Sequence, residues 1–138
     1  MCLGQGRNLG IVSMQLLYRC SITESQSSNE TDVGMSRLSL SDADKQARDY
    51  FKQVTESLGC KVHVDAMGNQ FAIRPGQKDG PPTCAGSHLD TQPTGGRYDG
   101  ILGVHAGIEA LRVLQERGIE TEYPVGVINW TNEEGMSW

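Results

Sequence analysis

Five side chains able to hold a metal ion or move a proton stand in three short clusters. His88 and Asp90 lie in Gly86-Ser87-His88-Leu89-Asp90, Asp99 in Gly95-Gly96-Arg97-Tyr98-Asp99-Gly100, and Glu133 with Glu134 in Thr131-Asn132-Glu133-Glu134-Gly135. An imidazole among carboxylates is the donor set of a hydrolytic metal site: the anions offset the cation's charge, and a carboxylate left off the metal can take a proton from water. A site holding two divalent ions needs about five or six protein ligands, usually with a bridging carboxylate. No histidine follows Glu134 before Trp138, so the chain is expected to be the front part of a metalloenzyme.

The elements that must position these residues are legible from about Arg37 onward. Ser41 can cap a helix with Asp44 three residues on, and Ala43, Ala47, Tyr50, Phe51, Val54 and Leu58 recur at helical spacing until Gly59 ends it. Residues 61–65 alternate around Val62 and Val64, Met67-Gly68-Asn69 reads as a turn, and residues 70–74 return, which predicts a hairpin or two neighbouring strands. A loop over 76–82 leads to a short strand at 83–87. A helix over about 100–117 follows, with Ile101, Val104, Ile108, Leu111 and Leu114 on one stripe and Gly118 as its stop, and then a strand over 125–130.

Strand, helix, strand in that order favours a crossover and a parallel pairing, because a parallel return needs a connection of about a dozen residues or more. His88 then leaves the C-terminal end of the first strand, Asp99 precedes the helix, and Glu133 and Glu134 follow the second strand. All should meet along one edge of the sheet, where open α/β folds place their ligands.

Composition sets looser bounds. The 138 residues, 37% apolar and 21% charged, suit one globular domain, and a net charge of −5 with no basic block gives no electrostatic reason to expect nucleic acid. Small-molecule substrates are the expectation, with neither nucleic acid nor membrane as a partner. The cysteines, Cys2, Cys20, Cys60 and Cys84, lack CxxC spacing, so neither a disulfide framework nor a thiolate metal site is expected, and a reducing, cytoplasmic setting fits.

In the first thirty residues Arg7 precedes a mildly apolar run over 9–18, with no acidic residue before Glu24, a weak version of a targeting segment. Ser13 and Gln15 interrupt the run, it is too short to span a bilayer, and residues 25–32 are polar. A poorly defined segment over 1–34 is expected, with Met14 and Met35 as alternative starts, ahead of a truncated catalytic domain over 35–138.

The motifs GSHLDT (86–91), GGRYDGILGV (95–104) and TNEEG (131–135), with the phrases MSRLSLSDADKQARD and VDAMGNQFAIRPG, resemble the hydantoinase/carbamoylase amidases of the dinuclear-zinc peptidase superfamily. That branch includes N-carbamoyl-L-amino-acid hydrolases, beta-ureidopropionase and allantoate amidohydrolase. The resemblance implies an α/β fold: a partial zinc-peptidase-like catalytic domain with a mainly parallel sheet flanked by helices, its later strands and dimerisation domain absent.

It also implies that His88 is a ligand of one metal, Asp99 the bridging carboxylate, Glu134 a ligand of the other metal and Glu133 the general base. Asp90 would accept the imidazole N–H and fix which ring nitrogen faces the metal. The implied cofactors are two divalent ions, zinc by default with manganese, cobalt or nickel also compatible. The implied reaction is hydrolysis of an N-carbamoyl or ureido substrate by a metal-activated water.

The complete relatives carry two further metal-binding histidines and substrate-binding residues, and pair as homodimers. Without those parts the flank of the 125–130 strand is expected to lack its covering and the isolated chain to fold poorly. Two alternatives stand beside this reading: an aminoacylase or exopeptidase of the same superfamily, and an inactive truncated product that pairs with another subunit through its sheet edge.

Each feature has an ordinary explanation as well. His88 alone could be a loop or core residue, Asp99 a helix N-cap, and Glu133-Glu134 a solvated acidic pair. His63 is expected to face solvent and His105 has no assigned role. The glycine-rich run over 95–107 has neither GxxxxGKS nor GxGxxG opening a helix, so nucleotide binding is not expected.

Overall fold

The computed structural model describes residues 34–136. The expectation of a poorly defined segment therefore falls, save Gly34, outside the described residues, as do Cys2 and Cys20. Six elements follow in order: α1 (Asp42–Ser57), β1 (Lys61–Val64), β2 (Gln70–Arg74), β3 (Thr83–His88), α2 (Ile101–Glu116) and β4 (Val125–Trp130).

Helix α1 begins as its sequence dictates. The Ser41 hydroxyl accepts from the Asp44 amide at 3.2 Å, while the Asp44 carboxylate accepts from the Leu40 amide at 2.9 Å, so a side chain at each end satisfies an otherwise unpaired donor. Its stripe buries Ala43, Ala47 and Phe51, and Gly59 closes the helix with φ +80°.

The hairpin turn is built on Asp65, whose carboxylate accepts from the amides of Met67 and Asn69 and from the Asn69 side chain. This sends β2 back antiparallel to β1.

The sheet order is β1-β2-β4-β3. Only the β3–β4 pairing is parallel, so the α/β expectation holds but the sheet is mixed: the tight hairpin fixes β1 and β2 antiparallel, and β4 then runs antiparallel to β2. Strand β4 is hydrogen-bonded on both sides, which corrects the expectation of a bare flank at 125–130. The edge strands of this sheet are β1 and β3.

Directly opposed residues share a face. The row Val62, Ala72, Val127 lies under both helices, with Ala72 and Val127 fully buried against Ala47 and Phe51 of α1 and Val104, Ile108 and Leu111 of α2. Gly107 lets α2 approach closely, since a Cβ there would lie 2.8 Å from a Val127 methyl. Truncating Phe51, 1% exposed, to alanine would cost about 3–5 kcal/mol.

The opposite face carries Phe71, Ile73, Ile128 and Trp130, with Phe71 and Trp130 in edge-to-face contact at 5.8 Å. Among the described residues no helix is long and apolar enough to cross a membrane.

Candidate metal centre

The parallel pair sets the site. His88 ends β3 opposite Trp130, the last residue of β4, so the chain leaves both strands at the same sheet edge. Between them Asp99 sits in the turn before α2. Ile101 donates its amide to the Asp99 backbone carbonyl at 2.6 Å, and no side chain caps the helix, whose N-cap is Gly100. The Asp99 carboxylate is thus not spent on capping.

Gly100 adopts φ +67°, and a Cβ there would fall 2.5 Å from His88 Cε1. Glycine is required both for the backbone conformation and for the imidazole packed against it.

The structure brings His88, Asp99 and Glu134 together, with one donor atom from each within 4.8 Å of the others. His88 Nε2 lies 3.8 Å from Asp99 Oδ1 and 3.4 Å from Glu133 Oε2. The imidazole side chain is 8% exposed, whereas those of Asp99 and Glu133 are more than half exposed, so a buried nitrogen faces carboxylates open to solvent.

The other ring nitrogen, Nδ1, is 2.9 Å from the backbone carbonyl of Asp90 and 3.8 Å from its carboxylate. A carbonyl only accepts, so Nδ1 carries a proton, and in the neutral ring Nε2 presents its lone pair to the cluster. Where the sequence suggested the Asp90 carboxylate for that contact, the nearer partner is the same residue's main chain. The carboxylate instead accepts the Glu134 amide through Oδ2 at 3.2 Å, and its buried Oδ1 has no hydrogen-bond partner.

Glu133 and Glu134 are the two central residues of a tight turn. Asn132 takes φ 56°, and Gly135 donates to the Asn132 carbonyl at 3.1 Å. The turn is braced from outside: Thr131 donates its amide to Asn69 Oδ1 at 2.9 Å, and the Arg48 guanidinium donates to Thr131 Oγ1 at 2.8 Å and to the Gly68 carbonyl. Gln92 then fixes Glu134 by donating to its Oε2 at 2.8 Å.

Sequence reasoning placed Asn69 in a turn and assigned no role at the site to Gln92, Asn69 or Arg48. Arg48 lies inside a family-like phrase, but nothing in the spacing showed that it reaches across to residue 131.

The remaining candidate donors do not join the cluster. His63 is exposed, and its ring lies 6.4 Å from that of Phe71. His105 is buried on α2, and burial, with smaller contributions from Arg112 and Arg37 against the opposing pull of Glu109, holds its imidazole below the ordinary histidine range. Cys60 and Cys84 are free. Burial pushes the Cys60 thiol up to about 11 and raises that of Cys84, so neither favours a thiolate.

The donor chemistry fits a divalent cation. One imidazole nitrogen converges with two carboxylate groups, and a buried carboxylate oxygen without a hydrogen-bond partner belongs to Asp90, the residue whose carbonyl holds the imidazole.

Residues 84–138 match the peptidase family M20/M25/M40. An N-carbamoyl-L-amino-acid amidohydrolase of Rhizobium meliloti is 50% identical over 103 residues, covering 74% of this chain and 25% of that protein. A ureidoglycolate hydrolase of Oryza sativa subsp. japonica is 40% identical over 101 residues, or 72% of this chain and 21% of that protein. An amidase of the hydantoinase/carbamoylase family from Burkholderia multivorans superposes with a TM-score of 0.80 at 44% identity, covering 91% of this chain and 30% of that one. The chain spans about a quarter of the length of the curated relatives it matches. By sequence and by fold the chain is thus similar to the hydantoinase/carbamoylase amidases, and its residues 84–138 carry the match to the peptidase family M20/M25/M40.

Proposed function

We propose that the protein hydrolyses a carbon–nitrogen bond other than a peptide bond, in an N-carbamoyl amino acid or ureido compound. The observation that carries this reading is the convergence of His88, Asp99 and Glu134 at the end of the parallel strand pair. The names of the relatives supply the substrate class.

In this reading His88 Nε2 would hold one divalent ion and Glu134 the other, with Asp99 as the carboxylate they would share. Such ions, zinc by default, would polarise the substrate carbonyl and make water a better nucleophile at neutral pH.

The chain's own residues do the rest. Glu133 Oε2, exposed beside His88 Nε2, accepts the water proton and returns it to the departing nitrogen. Asp90 keeps the His88 ring in one tautomer through its carbonyl and holds the Glu134 main chain through its carboxylate. For a carbamoyl substrate the products are an amino acid, carbon dioxide and ammonia. Substrates are small molecules, and a net charge of −5 argues against nucleic acid.

The family's description as peptidases favours a second reading, hydrolysis of an acylated amino acid or short peptide. Ammonia release from N-carbamoyl-beta-alanine, N-carbamoyl-alpha-amino acids and allantoate, set against cleavage of a dipeptide by the complete gene product, separates the two. Turnover of the dipeptide alone would overturn the ureido assignment.

A further inference from the structure

The loop from His88 to Asp99 has little regular structure, yet it must fix the imidazole, the Asp90 carbonyl and the approach to Asp99. What holds it comes from the far end of the described chain. Residues 35–37 run alongside it. Met35 and Gly95 exchange amide-to-carbonyl bonds, both 2.9 Å. Thr91 donates its amide to the Arg37 carbonyl at 2.8 Å, and the Arg37 amide donates to Thr91 Oγ1 at 2.8 Å.

The Arg37 side chain then turns inward and donates Nε–H to the Leu89 carbonyl at 2.6 Å. Met35, Arg37, Leu89 and Thr91 are each at most 3% exposed. A fully buried guanidinium is costly to desolvate, and such groups occur where their hydrogen bonds hold something in place.

Leu89 and Thr91 flank Asp90. With both neighbours tied to Arg37, the Asp90 carbonyl is aimed at His88 Nδ1 and its carboxylate at the Glu134 amide. The strap therefore reaches two of the three grouped metal donors through one residue.

We propose that residues 35–37 form a clamp on the metal centre, with Arg37 as the positioning residue that sets the His88 ring and the Glu134 main chain through Leu89, Asp90 and Thr91. The inference deepens the metal-centre reading above and rests on it for its cobalt arm.

The test compares the complete gene product with Arg37→Met, Arg37→Lys and Thr91→Val, each first checked for native near-UV dichroism. Cobalt(II) titration followed by visible absorption reads the donor set, and nitrogen NMR of the metal-free protein at pH 8 reads the His88 tautomer. Arg37→Met should weaken cobalt binding about 10- to 100-fold, the range typical of groups that orient metal ligands, and should mix the His88 tautomers. Arg37→Lys, which retains a donor, should recover part of both signals.

Thr91→Val keeps side-chain volume and removes the hydroxyl's bonds to the clamp, from the Arg37 amide and to the Met35 carbonyl, while the Arg37 side chain stays on Leu89, so it should move both readouts in the same direction by less, and it carries the test if Arg37→Met does not fold. Folded variants with parental cobalt affinity and a parental His88 tautomer would overturn the clamp. A parental protein that takes up no cobalt, while Arg37→Met still mixes the tautomers, would overturn the metal reading and leave the clamp standing on the ring's position.

Discussion

His88 Nδ1 lies 2.9 Å from the carbonyl oxygen of Asp90, two residues further along the same chain. In the neutral ring the contact leaves the lone pair on Nε2, 3.4 Å from Glu133 and 3.8 Å from Asp99. A metal-ligating imidazole requires this orientation.

Metal should therefore stabilise the fold. Adding zinc to the chelator-stripped protein is expected to raise the unfolding free energy by about 2.7 kcal/mol at a hundredfold excess over its dissociation constant. His88→Ala should abolish the increment. A His88→Ala protein that gains as much from zinc as its parent would remove His88 from the ligand set.

Glu133 is predicted to act on protons rather than on the ion. Glu133→Gln is expected to lower kcat by about 10²- to 10⁴-fold while leaving metal content unchanged. Atomic absorption on the variant separates this from a ligand, whose loss would also empty the site.

Gly100→Ala should damage both helix entry and imidazole. The positive φ alone costs about 1–2 kcal/mol for a residue with a Cβ, and that Cβ would overlap the His88 ring. Denaturant unfolding should show a loss at least that large, with weakened zinc binding. Gly118→Ala, also at positive φ but with open space around it, should lose only the backbone portion.

His105 gives the fold an acid limit. The unfolded chain protonates this imidazole near 6.5, whereas the fold, where burial penalises the cation, does so only at lower pH. The neutral form's contribution is thus complete above pH 6.5 and is lost as pH falls from there through the lowered folded value, by up to about 1.4 kcal/mol per pH unit. His105→Leu should flatten that limb in unfolding midpoints measured between pH 8 and pH 5. An unchanged acid slope would assign it to other groups.

Helix α1 was legible because its signals are local: Ser41, Asp44 and the stripe from Ala43 to Phe51 lie within one element. The clusters around His88, Asp99 and Glu133-Glu134 were legible for a related reason, since strand, helix and strand in succession bring their ends to one edge. The place of β4 between β2 and β3 was not, because periodicity records which face a residue takes and nothing about which strand lies beside it.

Asp90 shows a second limit. Its side chain suggested the contact to His88 that its carbonyl makes, and carbonyl directions are set by loop geometry that residue types do not display. Arg37 reverses the usual rule that arginine stays near solvent, and its bond to the buried carbonyl of Leu89, 52 residues away, is not visible in residue types or spacing.

The parallel pairing also sets the order in which the molecule comes together. β1 and β2 meet across a short turn, whereas β3 finds β4 only after the whole crossover through α2 has closed. Long closures are the slow events of folding. His88, Asp99 and the two glutamates ride on that closure, so cation uptake should be among the last signals seen after dilution from denaturant, lagging the recovery of the hairpin.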